Sequence, residues 1–236
     1  MHATFPLGRP AGIAVGAHWS VLPAMALLAG FLARSPLPDT VPGLSPAVYW
    51  ATGVTGSLVF LASLLVHELS HALAARDRGL VVDGITLWLL GGRTEPDGDP
   101  PSPRAAIAVA VAGPVASLAA GAGFLVAGLL STGVAAPALT WLGWANLLLA
   151  SFTLLPGAPL DGGRVLQALV WRRTGDRRRA RAAAARSGHV LGVVLVAAGL
   201  LQVVWSGSLA GLWPAGLGWF LAWCARAELA TCAPRS

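Results

Sequence analysis

The chain has 236 residues, 56% of them hydrophobic and 11% charged, with a mean hydropathy of +0.69, which excludes an ordinary water-soluble globule. Its formal net charge of +6 rests on 16 basic residues, all arginine, and most of these fall in short stretches between apolar runs. That distribution points to membrane topology, whereas nucleic-acid binding needs a basic face with stacking aromatics, and the ten tryptophans lie mostly in apolar runs.

About 20 apolar residues cross a bilayer core, and the chain has room for about six such crossings with no second folded domain. Residues 1–236 therefore read as one all-α polytopic membrane protein with a small membrane-associated β-hairpin or sheet. Residues 1–16 are mixed. The first span covers about residues 18–32; it lacks a small-residue cleavage site and reads as retained. A Pro-rich loop leads to the second span, about 47–75, which carries the one dense polar cluster in an otherwise apolar helix. Residues 80–90, LVVDGITLWLL, are β-branched and aromatic with turn-like Asp83-Gly84 and Gly91-Gly92, and predict a short hairpin or sheet. The third span runs over about 105–130, its Gly113, Gly121 and Gly123 suited to close helix packing and Pro114 to a kink. The fourth, about 139–156, ends in the broken segment LLPGAPLDGGR. Residues 171–186, WRRTGDRRRARAAAAR, read as a basic cytoplasmic linker, the alternative being a patch for anionic lipid or an acidic partner. Spans five (about 189–205) and six (about 209–225) close the chain, with Cys224 and Cys232 showing neither a disulfide nor a thiolate-zinc pattern.

Orientation follows from the arginines. Arg76, Arg78, Arg93 and Arg104 lie between spans two and three, and a second cluster lies between four and five, so those loops are expected on the cytoplasmic side. An even number of spans then places both termini in the cytoplasm, in a multi-pass protein of the cell membrane.

His67, Glu68 and His71 stand inside the second span as VHELSHALAA. The i, i+4 spacing puts both imidazoles on one helix face, about 40° apart around the axis, where two nitrogens can ligate one zinc at about 2.0–2.1 Å. Glu68 points beside such a metal, where a general base must sit to take a proton from water and hand it to a leaving amine. Idle polar groups at this depth would cost several kcal/mol unless paired, metal-bound or lining water. A third ligand is required, and Asp161 in PLDGGR is the acidic side chain at the mouth of another apolar segment. Irregular backbone at membrane depth belongs where it is buried or lines a cavity; the other reading of Asp161 is a helix N-cap.

These residues carry a resemblance. VHELSHALAA, AGPVAS at 112–117 and NLLLASFTLLPGAPLDGGR at 146–164 resemble, in order and spacing, the three signatures of the site-2 protease family of intramembrane zinc metalloproteases. The similarity extends to His18-Trp19-Ser20 and to the ITLWLLGG strand. It implies a helix bundle holding one zinc per chain on His67, His71 and Asp161, with Glu68 as base. The implied activity is cleavage of transmembrane segments of membrane-protein substrates near the cytoplasmic face.

Two positions depart from the pattern. Thr153 stands where the family usually has an Asn eight residues before the ligand Asp, and is the candidate oxyanion donor in its place. Ser117 stands where the GPxxN form of the second motif has Asn. Asn146 lies about two turns earlier on the same span as Thr153. A helical substrate hides its amides and must unwind, and the LVVDGITLWLL strand is a candidate to hold it by strand addition. No PDZ or CBS domain is expected in these 236 residues, so gating would come from a separate regulatory protein, from lipid or through preliminary cleavage of the substrate. The rival readings are a non-catalytic membrane protein of the same fold that binds transmembrane partners, and a metal transporter, which would call for further ligands on other spans.

Overall fold

The computed structural model of the chain describes residues 4–88 and 91–232. The N-terminal stretch, irregular by sequence, forms two strands, β1 (Phe5–Gly8) and β2 (Ala14–Ala17), joined through a 3-10 turn at Pro10–Gly12. With β3 (Val81–Trp88) and β4 (Gly91–Asp97) they make a four-stranded sheet in the order β1-β2-β3-β4. β2 and β3 are parallel, Ala14–Ala17 against Gly84–Leu87, and the two outer pairings are antiparallel. Asp83-Gly84, a turn signal by composition, instead lies inside β3 at a register shift between Val82 and Gly84; a bulge uses the same small-residue chemistry as a turn. Leu89 and Leu90 of the expected strand lie outside the described residues.

One expectation is overturned by this topology. β3 cannot take up a substrate strand along Gly84–Leu87, because β2 occupies one edge of that stretch and β4 the other.

The helices are α1 (Val21–Arg34), α2 (Pro36–Thr40), α3 (Pro46–Arg76), α4 (Pro103–Leu130), α5 (Ala135–Thr153), α6 (Asp161–Thr174), α7 (Arg177–Ser206) and α8 (Leu212–Cys232). Five spans, α1 with α2, then α3, α4, α5 and α7, are long and apolar enough to cross a membrane. The expected sixth span folds as α8, which is not one of these five; its tryptophans with Arg226 and Glu228 dilute its apolar run. The basic stretch 171–186 is also not a loop. It is helical on both sides of Gly175-Asp176, because Gly175 ends α6 in the left-handed region at φ 72° and Asp176 caps α7 by accepting from the Arg179 amide at 3.0 Å. The alanines at 180 and 182–185 then carry the helix forward.

The chain divides into two compact units, Met1–Pro100 with Ala112–Ser151, and Pro101–Val111 with Phe152–Ser236. In the first, Ile13, Val15, Ala17, Ile85 and Leu87 of the sheet region form a core with Val21 of α1 and Ala72 of α3. α1 and α3 approach closely, for a Cβ on Gly53 would stand 2.6 Å from the Ala29 carbonyl oxygen. Large apolar side chains such as Leu129 and Leu130, by contrast, are exposed, as lipid-facing positions are.

In the second unit α7 packs on α8 through small residues: a Cβ on Gly192 would lie 2.6 Å from the Ala222 amide and from the Gly218 carbonyl oxygen. The segment between α5 and α6 docks on α7. The Ala158 amide donates to the Ala184 carbonyl at 3.0 Å, and Ser187 Oγ donates to the Pro156 carbonyl. A Cβ on Gly188 would overlap the Ala158 carbonyl oxygen and sit 2.8 Å from its nitrogen. Because those obstacles are backbone, Gly188→Ala is expected to cost about 1–3 kcal/mol. Gly123→Ala, with nothing within 4 Å of the new methyl, should leave stability unchanged or raised. Thermal unfolding of both variants in detergent checks the pair, and equal midpoints would contradict the packing described.

Candidate metal centre

α3 is 31 residues long, about 46 Å at 1.5 Å per residue, against a hydrocarbon core of about 30 Å. Its protein-facing stripe includes Tyr49, Gly53, Gly56, Ser63, His67, His71 and Ala75, while Val54, Leu58, Val66 and Leu73 are exposed. The i, i+4 histidines fall on that stripe, which is why imidazoles occur in an otherwise apolar helix.

The two imidazoles converge. His71 Nε2 and His67 Nε2 are 3.2 Å apart, with ring centroids 4.9 Å apart and planes at 77°. Two nitrogens each about 2.0–2.1 Å from one tetrahedral ion are about 3.3 Å apart, so the pair matches two corners of a zinc tetrahedron. The other ring nitrogen of His67, Nδ1, lies 2.9 Å from Ser117 Oγ in α4. Glu68 is buried beside the pair on α3.

Gly113, expected from sequence to be a packing glycine, has a different position. A Cβ there would overlap His71 Nε2 and stand 2.6 Å from His67 Nε2. The absence of a side chain keeps clear the space that the two nitrogens face. Gly121 does serve packing, its Cβ position 3.0 Å from the Gly143 carbonyl oxygen, whereas Gly123 meets nothing within 4 Å. Pro114 is accommodated inside α4. Asn146 of α5 is wholly buried. Its Nδ2 donates to the Leu142 carbonyl at 2.9 Å, and its Oδ1 has no hydrogen-bond partner among the described residues.

Asp161 and Thr153 belong to the second unit. Thr153 is the last residue of α5. Asp161 is the first residue of α6 and 9% exposed. The cap position is Leu160, so the N-cap reading of Asp161 does not hold; its carboxylate instead lies in the first turn, where the helix dipole favours negative charge. The turn before it is tight. A Cβ on Gly162 would overlap the Leu154 carbonyl oxygen, and one on Gly163 would overlap the backbone of Gly157 and Ala158, so the glycines after Asp161 are what allow the chain to fold back here.

Comparisons with known proteins bear on the whole chain. The profile of peptidase family M50 matches residues 55–137 and 129–196. The chain is 48% identical over 233 residues to a protein of Mycobacterium tuberculosis provisionally named zinc metalloprotease Rip3, covering 97% of this chain and 59% of that one. It is 36% identical over 217 residues to the sll0528 protein of Synechocystis, also provisionally named a zinc metalloprotease, covering 89% of this chain and 56% of that one. The chain thus spans less than two thirds of the length of these curated relatives. The site-2 protease structure from Methanocaldococcus jannaschii is similar in fold, with a TM-score of 0.65 at 23% identity over 98% of both chains.

The clearance at Gly113 is directly testable. Gly113→Ala forces a methyl group onto the two nitrogens, so zinc affinity measured against a competing chelator should fall at least tenfold, a ligand-displacement effect of about 1.4 kcal/mol or more. The same methyl placed at Gly123 should leave zinc affinity unaltered.

Proposed function

The chain belongs to peptidase family M50, and from that premise we propose that it is a zinc-dependent intramembrane endopeptidase cleaving transmembrane segments of membrane-protein substrates near the cytoplasmic face. The observation that carries this reading is the convergence of His67 Nε2 and His71 Nε2 at 3.2 Å within an apolar helix. Zinc is the metal in the names of the relatives, and the spacing of the pair and the clearance at Gly113 fit it.

We assign Asp161 as the third ligand: it is an almost buried carboxylate set on backbone that Gly162 and Gly163 make possible, and a carboxylate completes a His-His site. Bound zinc supplies Lewis-acid polarisation of a peptide carbonyl and lowers the pKa of water toward about 7. Glu68 takes the proton of the attacking water and delivers it to the leaving amine, so one carboxylate serves both halves of the hydrolysis. Thr153 donates its hydroxyl to the developing oxyanion. A substrate helix must unwind to present its carbonyl, and β4, paired along one edge only among the described residues, offers backbone groups to the extended segment. The basic stretches between α3 and α4 and opening α7 face the cytoplasm, and with α8 as a sixth crossing both termini lie on that side.

Glu68→Gln should lower turnover by roughly 10² to 10⁴ while zinc content stays at the wild-type level, and His71→Ala should lose the metal. Comparing membrane proteomes of cells carrying wild type or Glu68→Gln reads this in vivo. Single-span fragments persisting only with the variant identify substrates; their absence with zinc bound would favour a non-catalytic partner-binding protein. Thr153→Val, which keeps the shape and removes the hydroxyl, should lower kcat by about 10² to 10³ with KM little changed; an unchanged kcat removes Thr153 from the mechanism.

A further inference from the structure

Serines in the apolar helices of this chain mostly satisfy their hydroxyls at home. Ser57 Oγ donates to the Val54 carbonyl at 2.8 Å, Ser63 to Val59 at 3.1 Å and Ser70 to Val66 at 2.8 Å, each within its own helix. Ser117 differs. It is 1% exposed, and its Oγ reaches from α4 to Nδ1 of His67 on α3 at 2.9 Å. One turn earlier on the same face of α4, Gly113 leaves open the space in front of both Nε2 atoms.

We propose that Ser117 is a positioning residue of the metal centre, its Oγ accepting the Nδ1 proton of His67 and so holding that imidazole with its Nε2 lone pair toward His71. A neutral imidazole has one N–H and one lone pair, and a metal takes the lone pair, leaving the other nitrogen to donate outward. Since Nε2 of His67 faces Nε2 of His71, the nitrogen left to donate is Nδ1, and Ser117 Oγ is the acceptor placed for it. A hydroxyl can also donate, and in that sense it would leave a proton on Nε2, where it would oppose a cation. The same bond fixes the ring about its Cβ–Cγ axis, because turning it over would exchange Nδ1 with Cδ2 and Nε2 with Cε1, setting a carbon against the serine and moving the Nε2 lone pair away from His71. Ser117 and Gly113 thereby form one device on α4: one residue orients the ligand ring from behind, and the other keeps its front clear. Any side chain at 117 with an acceptor oxygen of similar reach would serve.

The inference rests on His67 and His71 being zinc ligands, and the experiment separates the two failures. The full chain in detergent micelles is titrated with zinc against a chelating dye, as wild type and as Ser117→Ala, Ser117→Thr, Ser63→Ala and His67→Ala. Ser117→Ala, which removes only the hydroxyl, should bind zinc about 10- to 100-fold more weakly, with Ser117→Thr close to wild type and Ser63→Ala unchanged. In the zinc-loaded protein with ¹⁵N-labelled histidine, the Nδ1 proton of His67 should exchange slowly with water in wild type and Ser117→Thr, and faster in Ser117→Ala. Wild-type affinity and exchange in Ser117→Ala would overturn the assignment, as would equal losses in the Ala and Thr variants, which would mean that the site responds to volume and not to the hydroxyl. If His67→Ala itself binds zinc like wild type, the ligand reading fails first.

Discussion

Polar side chains inside an apolar span must be satisfied by the protein, because lipid offers them nothing. Much of the first unit follows from applying that condition to His67, Glu68 and His71. They fall on the one stripe of α3 that packs inward, and the helix facing part of that stripe, α4, has been reduced to a glycine and a serine where it meets the imidazoles. A larger residue at 113 would fill the space before the nitrogens, and an apolar residue at 117 would leave a ring nitrogen buried without its acceptor, at a cost of about 1–3 kcal/mol.

Close helix approach is the second requirement. Between apolar helices in lipid the hydrophobic effect gives no net attraction, so association depends on backbone proximity through small residues. The contacts of Gly53 with Ala29, of Gly192 with Ala222 and of Gly188 with Ala158 meet that need. In the second unit the same chemistry does more than pack helices. Glycines at 157, 162, 163 and 188 let the segment before α6 fold against α7, and this turn sets where Asp161 stands on its own helix.

The sheet supports the end of α3 that carries the histidines. Ile85 and Leu87 of β3 and Val15 of β2 share a core with Ala72, one residue beyond His71, and Arg76 Nη1 donates to the Ala11 carbonyl at 2.6 Å. The last turns of α3 are thus held by apolar packing on one side and a polar tie at the end, which limits the freedom of the residues between.

The sequence by itself determined the membrane class, located the apolar runs and singled out His67, Glu68, His71 and Asp161 as candidates for the chemistry, because hydropathy over about 20 residues and an i, i+4 pair are local patterns. What it missed was long-range. β1 and β2 are four residues each and join the sheet only because β2 pairs with β3 across more than sixty residues of chain; the basic stretch 171–186 looked like a linker because charge density hides the Asp176 cap and the alanine run. Gly113 read as a packing glycine and Ser117 as a departure from a motif. Only the tertiary structure, by laying α4 against α3, decided that one clears the space before two imidazole nitrogens and that the other holds one of those rings from behind, since a contact between residues fifty positions apart leaves no periodicity in the chain.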